Sequence, residues 1–206
     1  MDRDSGDNWF WLLTKFSHEK ITEEELISKI KVLAVEGNIN EKISIINCRH
    51  NLGNTEETVT PLILSLTHDT IPVEITKILL DNGANVNTES GLTSGPVIEA
   101  GKSLDINKLK LLSEYGGNIN EVDESGNTAL IEVVMGHHCL YSCNIIDRRI
   151  KERMDIIKFF LKEGINYNHK NNNGHDFKYF LTPLIQNEIE DFMKEYIPIN
   201  IKTSRR

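Results

Sequence analysis

The chain has 206 residues, of which 39% are hydrophobic and 26% charged, and its formal net charge is −8 at pH 7. This composition excludes a wholly disordered chain, and no apolar run approaches the roughly 18 residues that a membrane-spanning helix needs. The acidic balance argues against a nucleic-acid-binding surface, which would concentrate Lys and Arg. The cysteines Cys48, Cys139 and Cys143 occur without a secretory signal pattern, so we expect reduced thiols and a cytoplasmic protein.

The first predicted element is a short helix near the N terminus, with Asp7 as its cap. Two interpretations of its aromatic cluster Trp9-Phe10-Trp11 stay open. As core residues, the rings of segment 1–21 cap the open end of the domain that follows. As a functional residue, a ring that cannot turn inward, such as Trp11, is an exposed anchor for a partner, because Trp is enriched in interface hot spots.

A helix that ends in glycine recurs four times along the rest of the chain. Thr22-Glu23-Glu24-Glu25 is a capping box that opens the first of these helices. An apolar residue, a Lys and two more apolar residues stand ten, six, five and four residues before each final glycine. Each helix therefore has one apolar stripe with an ammonium at its edge, and the glycine supplies the left-handed residue that ends it. The four exits are all rich in Asn: Gly37-Asn38-Ile39-Asn40, Gly83-Ala84-Asn85-Val86-Asn87, Gly116-Gly117-Asn118-Ile119-Asn120 and Gly164-Ile165-Asn166-Tyr167-Asn168.

Two further helices have a distinctive start. Thr60-Pro61-Leu62 offers an N-cap hydroxyl followed by Pro at the first helical position. A glycine turn in Asp123-Glu124-Ser125-Gly126-Asn127 leads into a second helix start, Thr128-Ala129-Leu130. Together with the exits, these stretches resemble the ankyrin repeat over roughly residues 22–196. The resemblance implies an all-α fold, a solenoid of about four to five helix-turn-helix repeats with hairpin-like loops.

The glycine spacings are 46, 33 and 48 residues, and 33 is the ankyrin period. The two longer intervals predict loop insertions at 41–58 and within 137–151, since a repeat contacts only its neighbours and tolerates extra chain at its edge. Repeat three departs from the family pattern, because residues 93–100 lack the Thr-Pro-Leu order. The family's His after Thr-Pro-Leu is also missing, with Ile63 and Ile131 in its place, so its hydrogen bonds between repeats are not expected.

The end of the chain is predicted to be a capping repeat. A turn at Asn171-Asn172-Asn173-Gly174 leads into 176–180, and Thr182-Pro183 begins a last helix that Pro198 ends. The predicted organisation is therefore an N-terminal capping segment at 1–21, an ankyrin-repeat domain at 22–196 and a C-terminal tail at 197–206.

Residues that could support chemistry are few. His137-His138-Cys139 with Cys143 suggests zinc ligands, but the spacing is not a standard one, and an inserted loop with free thiols explains it as well. Cys48 beside His50 has neither a third orienting group nor an oxyanion site that the sequence points to, and glycine-rich phosphate loops are absent. We expect no catalytic residue, no metal and no cofactor. A metal-dependent enzyme built on the insertion 137–151 and a structural scaffold subunit stay as alternatives.

The resemblance implies that partners lie in the groove formed by the loop tips and the first helix of each pair. The candidate partner-binding residues are Trp11, Glu89, Glu121, Asp123, Glu124 and His169. Because the first two tips are acidic, we expect a partner protein with a basic segment, and neither nucleic acid nor membrane as partner. The predicted function is a non-enzymatic adaptor or inhibitor of host signalling, acting in the host cytoplasm or nucleus. The Asn- and Ile-rich composition resembles small ankyrin proteins of viruses and intracellular bacteria, including inhibitors of NF-kappa-B.

Overall fold

The structure is a computed structural model that describes residues 21–36, 39–40, 42–47, 55–67, 70–88, 94–142 and 147–203. Within these ranges, no side chain is described at 36, 43–47, 55–58, 137–139, 141–142 and 197–203. The predicted N-terminal helix with Trp11 therefore lies outside the described residues, as do Glu89 and the Cys48–His50 pair.

Eight α-helices, one 3₁₀ helix and one pair of strands make up the described part of the chain. In chain order they are α1 (Glu23–Glu36), β1 (Ile43–Asn47), β2 (Thr55–Val59), α2 (Pro61–Thr67), α3 (Val73–Asp81), α4 (Pro96–Ser103), α5 (Ile106–Glu114), α6 (Ala129–Ser142), α7 (Ile150–Lys162), the 3₁₀ helix (Phe177–Phe180) and α8 (Pro183–Thr203).

The helices stack in two layers. The inner layer holds α2, α4, α6 and the 3₁₀ helix, each in contact with the next, and the outer layer holds α1, α3, α5, α7 and α8 in the same sequential order. The pairs α2–α3, α4–α5 and α6–α7 connect the layers. In a solenoid, each repeat contacts only the repeats next to it, which is the arrangement found here. The predicted all-α repeat solenoid is confirmed, with the small sheet as an addition to it.

The inner helix α2 is apolar on nearly every side because the neighbouring elements enclose it. In α2 every residue from Pro61 to Leu66 is buried. The predicted helix starts are confirmed, since the Thr60 hydroxyl accepts the N–H of Ile63 and the Thr128 hydroxyl accepts the N–H of Ile131, both at 3.4 Å. Ile63 and Ile131 are themselves buried in the core, so the positions of the family's His serve apolar packing here.

The predicted glycine ends of the outer helices are confirmed at three repeats. Gly83, Gly116 and Gly164 have φ values of 90°, 81° and 83°, in the left-handed region. After α3, the N–H of Ala84 donates to the carbonyl of Leu79 at 3.0 Å, which closes a Schellman turn. Gly37, the fourth such glycine, lies outside the described residues.

A basic residue from the following repeat caps the C-terminal end of two inner helices. The Lys108 ammonium of α5 donates to the carbonyl of Ser65 in α2 at 2.8 Å. The Arg149 guanidinium, just before α7, donates to the carbonyls of Ser103 and Leu104 at 3.0 and 3.2 Å, at the end of α4. These carbonyls have no partner within their own helix, and a cation suits the negative end of the helix dipole.

The two predicted insertions take different forms. The first contains β1 and β2, an antiparallel pair in which Ile43 lies opposite Val59 and Asn47 opposite Thr55. The second is partly absorbed into α6, which has 14 residues where α2 and α4 have 7 and 8. The prediction that Pro198 ends the last helix is wrong, because α8 continues to Thr203. Pro198 removes one backbone donor but does not stop the helix. The division at residues 21 and 197 stays a prediction.

Candidate interaction site

The Asn-rich exits hold neighbouring repeats in register. The side-chain amide of the last Asn in one exit makes two hydrogen bonds to the backbone of the next exit. The Asn40 amide donates to the Gly83 carbonyl at 3.1 Å and accepts the N–H of Asn85 at 2.7 Å. The same pair of bonds recurs from Asn87 to Gly116 and Asn118. In the next repeat, Asn120 accepts the N–H of Asn166 at 2.7 Å. These amides provide polar contacts between repeats in a chain that lacks the family's His.

Glu121 compensates for the missing Thr-Pro-Leu start of repeat three. Its carboxylate accepts the N–H of Ile98 at 2.8 Å and also that of Val97, both in the first turn of α4. Gly95, the residue before the helix, has no side chain that could cap it. A Cβ at position 95 would overlap the Glu121 carboxylate, so glycine leaves the space that this carboxylate needs. Glu121 therefore caps a helix of the preceding repeat.

The same burial makes Glu121 sensitive to pH. The pKa of Glu121 is raised to about 7, because burial and, to a smaller extent, the nearby Glu99 outweigh the two backbone N–H donors that lower it. A carboxyl whose pKa is higher in the folded than in the unfolded state stabilises the fold below about pH 4.5, and this contribution is lost as the pH rises through 7. Because glutamine does not ionise, Glu121→Gln should not lose this contribution. Between pH 5 and pH 8 we expect the free energy of unfolding of the wild type to fall by about 1 to 3 kcal/mol relative to that of the variant.

Urea unfolding of the wild type and Glu121→Gln across this range measures the difference directly, and subtraction cancels the other titrating groups. The two proteins should be about equally stable near pH 4 and differ little at pH 5, and the Gln variant should be clearly more stable at pH 8. Parallel profiles would mean that the carboxylate stays ionised at the helix N terminus throughout.

Two loop turns lock repeat four, which contains α6 and α7, to repeat five, which contains the 3₁₀ helix and α8. The Asn127 amide donates to Glu132 at 2.7 Å and accepts from the Asn171 amide at 2.9 Å, and both Asn side chains are buried. Asp123 accepts the N–H of Asn127 at 2.8 Å, which closes the first turn. The His169 ring nitrogen Nε2 lies 2.8 Å from the Gly126 carbonyl. Both turns are therefore pinned by hydrogen bonds between the repeats.

Among the described side chains, carboxylates outnumber ammonium groups where α4, α6 and their loops meet. Lys102 pairs with Glu99 at 3.0 Å, and the lysine side chain is 43% exposed while that of Glu99 is 11% exposed. Burial raises the pKa of Glu132, while its Asn127 hydrogen bond and Lys102 lower it and Asp123 raises it. We name these carboxylates and the exposed Glu124 the acidic centre, which consists of Glu99, Asp123, Glu124 and Glu132.

An aromatic surface lies beside the acidic centre, at the 3₁₀ helix. Tyr179 is 60% exposed, and one face of its ring stacks on His175 with centroids 3.6 Å apart and planes 4° apart. Phe180 meets the ring edge-on at 5.1 Å. The exposed area of Tyr179 is therefore mainly the opposite face, which is held in a fixed orientation.

No profile of a known protein family matches the chain. Two ankyrin repeat proteins of Acanthamoeba polyphaga mimivirus are similar to it. One is 46% identical over 66 residues, which is 32% of this chain and 9% of the relative, and the other is 30% identical over 113 residues, or 50% and 16%. This similarity coincides with stacked helix pairs that end in left-handed glycines. Sequence similarity and fold together support the ankyrin-repeat family for this chain. It spans about a tenth to a sixth of the length of these relatives.

Ankyrin repeats are generally non-enzymatic modules that bind other proteins. Among the described residues of this ankyrin stack, no group of three or more His, Cys, Asp and Glu side chains is arranged to hold a metal ion. The suggested zinc ligands lie outside this statement, because Cys143 and the side chains of His137, His138 and Cys139 are not described. None of the helices that the structure describes is long and apolar enough to cross a membrane.

The structure separates the candidate residues of the ankyrin groove. Glu121, Asp123 and His169 each have a hydrogen bond within the protein. Glu124 is exposed, while Trp11 and Glu89 lie outside the described residues. Sequence reasoning did not single out Tyr179, although its place in the first helix of repeat five, next to an Asn-Gly turn, matches the groove positions of the other repeats.

Proposed function

We propose that this ankyrin stack binds a protein partner along its inner helices and loop tips, and that a basic segment of the partner lies over the acidic centre. The observation that carries the proposal is the excess of carboxylates there among the described residues: Glu99 and Glu132 interact with Lys102, Asp123 lies beside Glu132, and the exposed Glu124 follows Asp123 in the loop. Glu99 and Glu132 are already largely shielded from water, so a basic group entering the groove would interact with them more strongly than with exposed carboxylates.

The surface supports binding in a second way. Asn127, Asn171 and their hydrogen bonds fix the loop backbone on which Glu124 is placed, so little ordering would be needed on binding. The exposed ring face of Tyr179 adds an aromatic contact in a fixed orientation, the kind of residue that dominates protein interfaces. A basic peptide with an adjoining apolar or planar side chain fits both features.

Charge reversal at Glu124 tests the proposal. Glu124→Lys is expected to weaken partner binding about tenfold or more, with a steep dependence on salt, because the substituted ammonium repels a basic segment. Glu114→Lys is the matched control, since it makes the same charge change at an exposed position of the outer helix α5. Partners would be captured from host-cell lysate with the tagged protein, identified by mass spectrometry, purified and titrated against all three proteins.

A partner lost with Glu124→Lys and retained with Glu114→Lys would support the groove as the binding surface. Equal binding by all three proteins would exclude the acidic centre as that surface.

At a finer level, we propose an adaptor or inhibitor directed at host signalling in the host cytoplasm or nucleus, of the NF-kappa-B-inhibitor type. The viral source of the two relatives supports the host-directed role, and the acidic centre would suit a Lys/Arg-rich localisation signal. NF-kappa-B subunits among the captured proteins are the expected result. If purified NF-kappa-B subunits fail to bind, this finer proposal falls while the protein-binding proposal stands.

A further inference from the structure

The hairpin in the first insertion leaves strand edges unpaired within the described part of the chain. β1 pairs with β2, and the sheet that contains them has two strands. Each strand of such a pair presents one row of backbone N–H and C=O groups away from its partner. An isolated two-stranded sheet is marginally stable in water, so a further strand would add both hydrogen bonds and stability.

The two edges differ in the residues that protect them. β2, with the sequence Thr-Glu-Glu-Thr-Val, carries adjacent charges at Glu56 and Glu57. β1, with the sequence Ile-Ser-Ile-Ile-Asn, has no charge, no proline and no glycine. Charged residues and proline are the usual protection of an edge strand against pairing with another chain. Among the residues that the structure describes, β2 is therefore protected and β1 is open to pairing.

We propose that β1 pairs antiparallel with β1 of a second copy of this chain, so that two hairpins form one four-stranded sheet. In the symmetric register centred on Ile45, that residue lies opposite its own equivalent, and Ser44 lies opposite Ile46 of the second copy. No like charges meet along this seam, whereas pairing through β2 would bring glutamates of the two copies together. The β1 edge is therefore self-complementary under the two-fold symmetry of a dimer.

The expected dimer is weak and forms with rising concentration. A five-residue strand buries far less than the about 1,200 Å² of a stable interface, and each copy carries a net charge of −8. The charge repulsion between copies is screened beyond about 8 Å at physiological salt. Sedimentation equilibrium of the purified full chain should give a mass that rises from 23.5 kDa towards twice that value.

A pair of lysine variants tests the register. Ile45 lies opposite Glu57 within the hairpin, so Ile45→Lys adds an opposite-charge pair to the monomer but places two ammonium groups across the dimer axis. Ile46→Lys is the control: it lies opposite Glu56 in the monomer and opposite Ser44 of the second copy in the dimer. We expect Ile45→Lys to weaken dimerisation more than about tenfold and Ile46→Lys to weaken it far less.

Circular dichroism and thermal melting of both variants check that each remains folded. A wild-type chain that stays at 23.5 kDa at every concentration would overturn the proposal. A later finding that an extended peptide binds β1 would not restore it. Equal loss of the dimer in both variants would overturn the register. The measurement needs no partner protein, so it succeeds or fails independently of the groove.

Discussion

Replacing Lys108 by alanine lowers the free energy of unfolding by about 3 to 5 kcal/mol, as expected for a long buried side chain with a specific hydrogen bond. Lys108 has no exposed surface, and its ammonium donates to the carbonyl of Ser65 in the preceding repeat at 2.8 Å. Truncation leaves a cavity between the repeats and removes the donor that caps the short helix α2. Asp105, whose carboxylate lies 3.8 Å from the ammonium, also loses its neighbouring cation.

Two further variants separate the causes in a urea-unfolding experiment. Lys108→Met keeps most of the volume and removes the donor, so we expect a smaller loss, about 1 to 3 kcal/mol, from the unpaired Ser65 carbonyl. Lys110→Ala removes an exposed lysine from the same helix and should change stability by less than about 0.5 kcal/mol. Equal stability of the Lys108→Ala and Lys110→Ala variants would contradict the proposed role of the buried ammonium.

Asn127→Ala is expected to cost about 2 to 4 kcal/mol, because its amide contacts two repeats at a buried site. The substitution leaves the Asn171 amide without its acceptor and Glu132 without its donor. It also removes the amide that lies between the carboxylates of Asp123 and Glu132, to which it donates at 3.5 and 2.7 Å. Thermal or urea unfolding measures the loss.

The neighbouring turn offers the control. Asn172 is exposed, and its side-chain amide donates one hydrogen bond to the Glu124 carbonyl at 3.0 Å. Asn172→Ala should therefore lower the free energy of unfolding by less than about 1 kcal/mol. Asn127→Ala and Asn171→Ala together should cost less than the sum of the two single changes, since they remove the same bond. Strict additivity would show that the amide pair does not couple the repeats.

Helix starts and ends were predictable because their signals are local. The Thr60 hydroxyl and the N–H of Ile63 are three residues apart. The positive φ that ends α3 is adopted by Gly83 itself, so the residue type alone indicates the helix end. The acidic loops could also be read from the sequence, but the roles of their members could not. Asp123 and Glu124 are adjacent, yet the first closes a turn and the second is exposed to solvent.

The path of the inserted segments was the least predictable part of the fold. Their positions followed from the glycine spacings, but spacing carries no information on whether the extra chain forms strands or extends a helix. The eight residues that follow Val134 continue α6, and Pro198 lies within α8. Even the cost of a proline inside a helix, about 3 kcal/mol, is overridden where the surrounding helix is long enough to keep its other hydrogen bonds.

The sequence alone determined the class of protein, the repeat period, the caps of the helices and the sites of the insertions, because each depends on residues within a turn or two of one another. The tertiary structure decided which polar side chains hold the fold and which remain exposed for a partner. Glu121, Lys108 and Asn171 bond to groups 23, 43 and 44 residues away, where a buried donor or acceptor must find a partner whatever its distance in sequence.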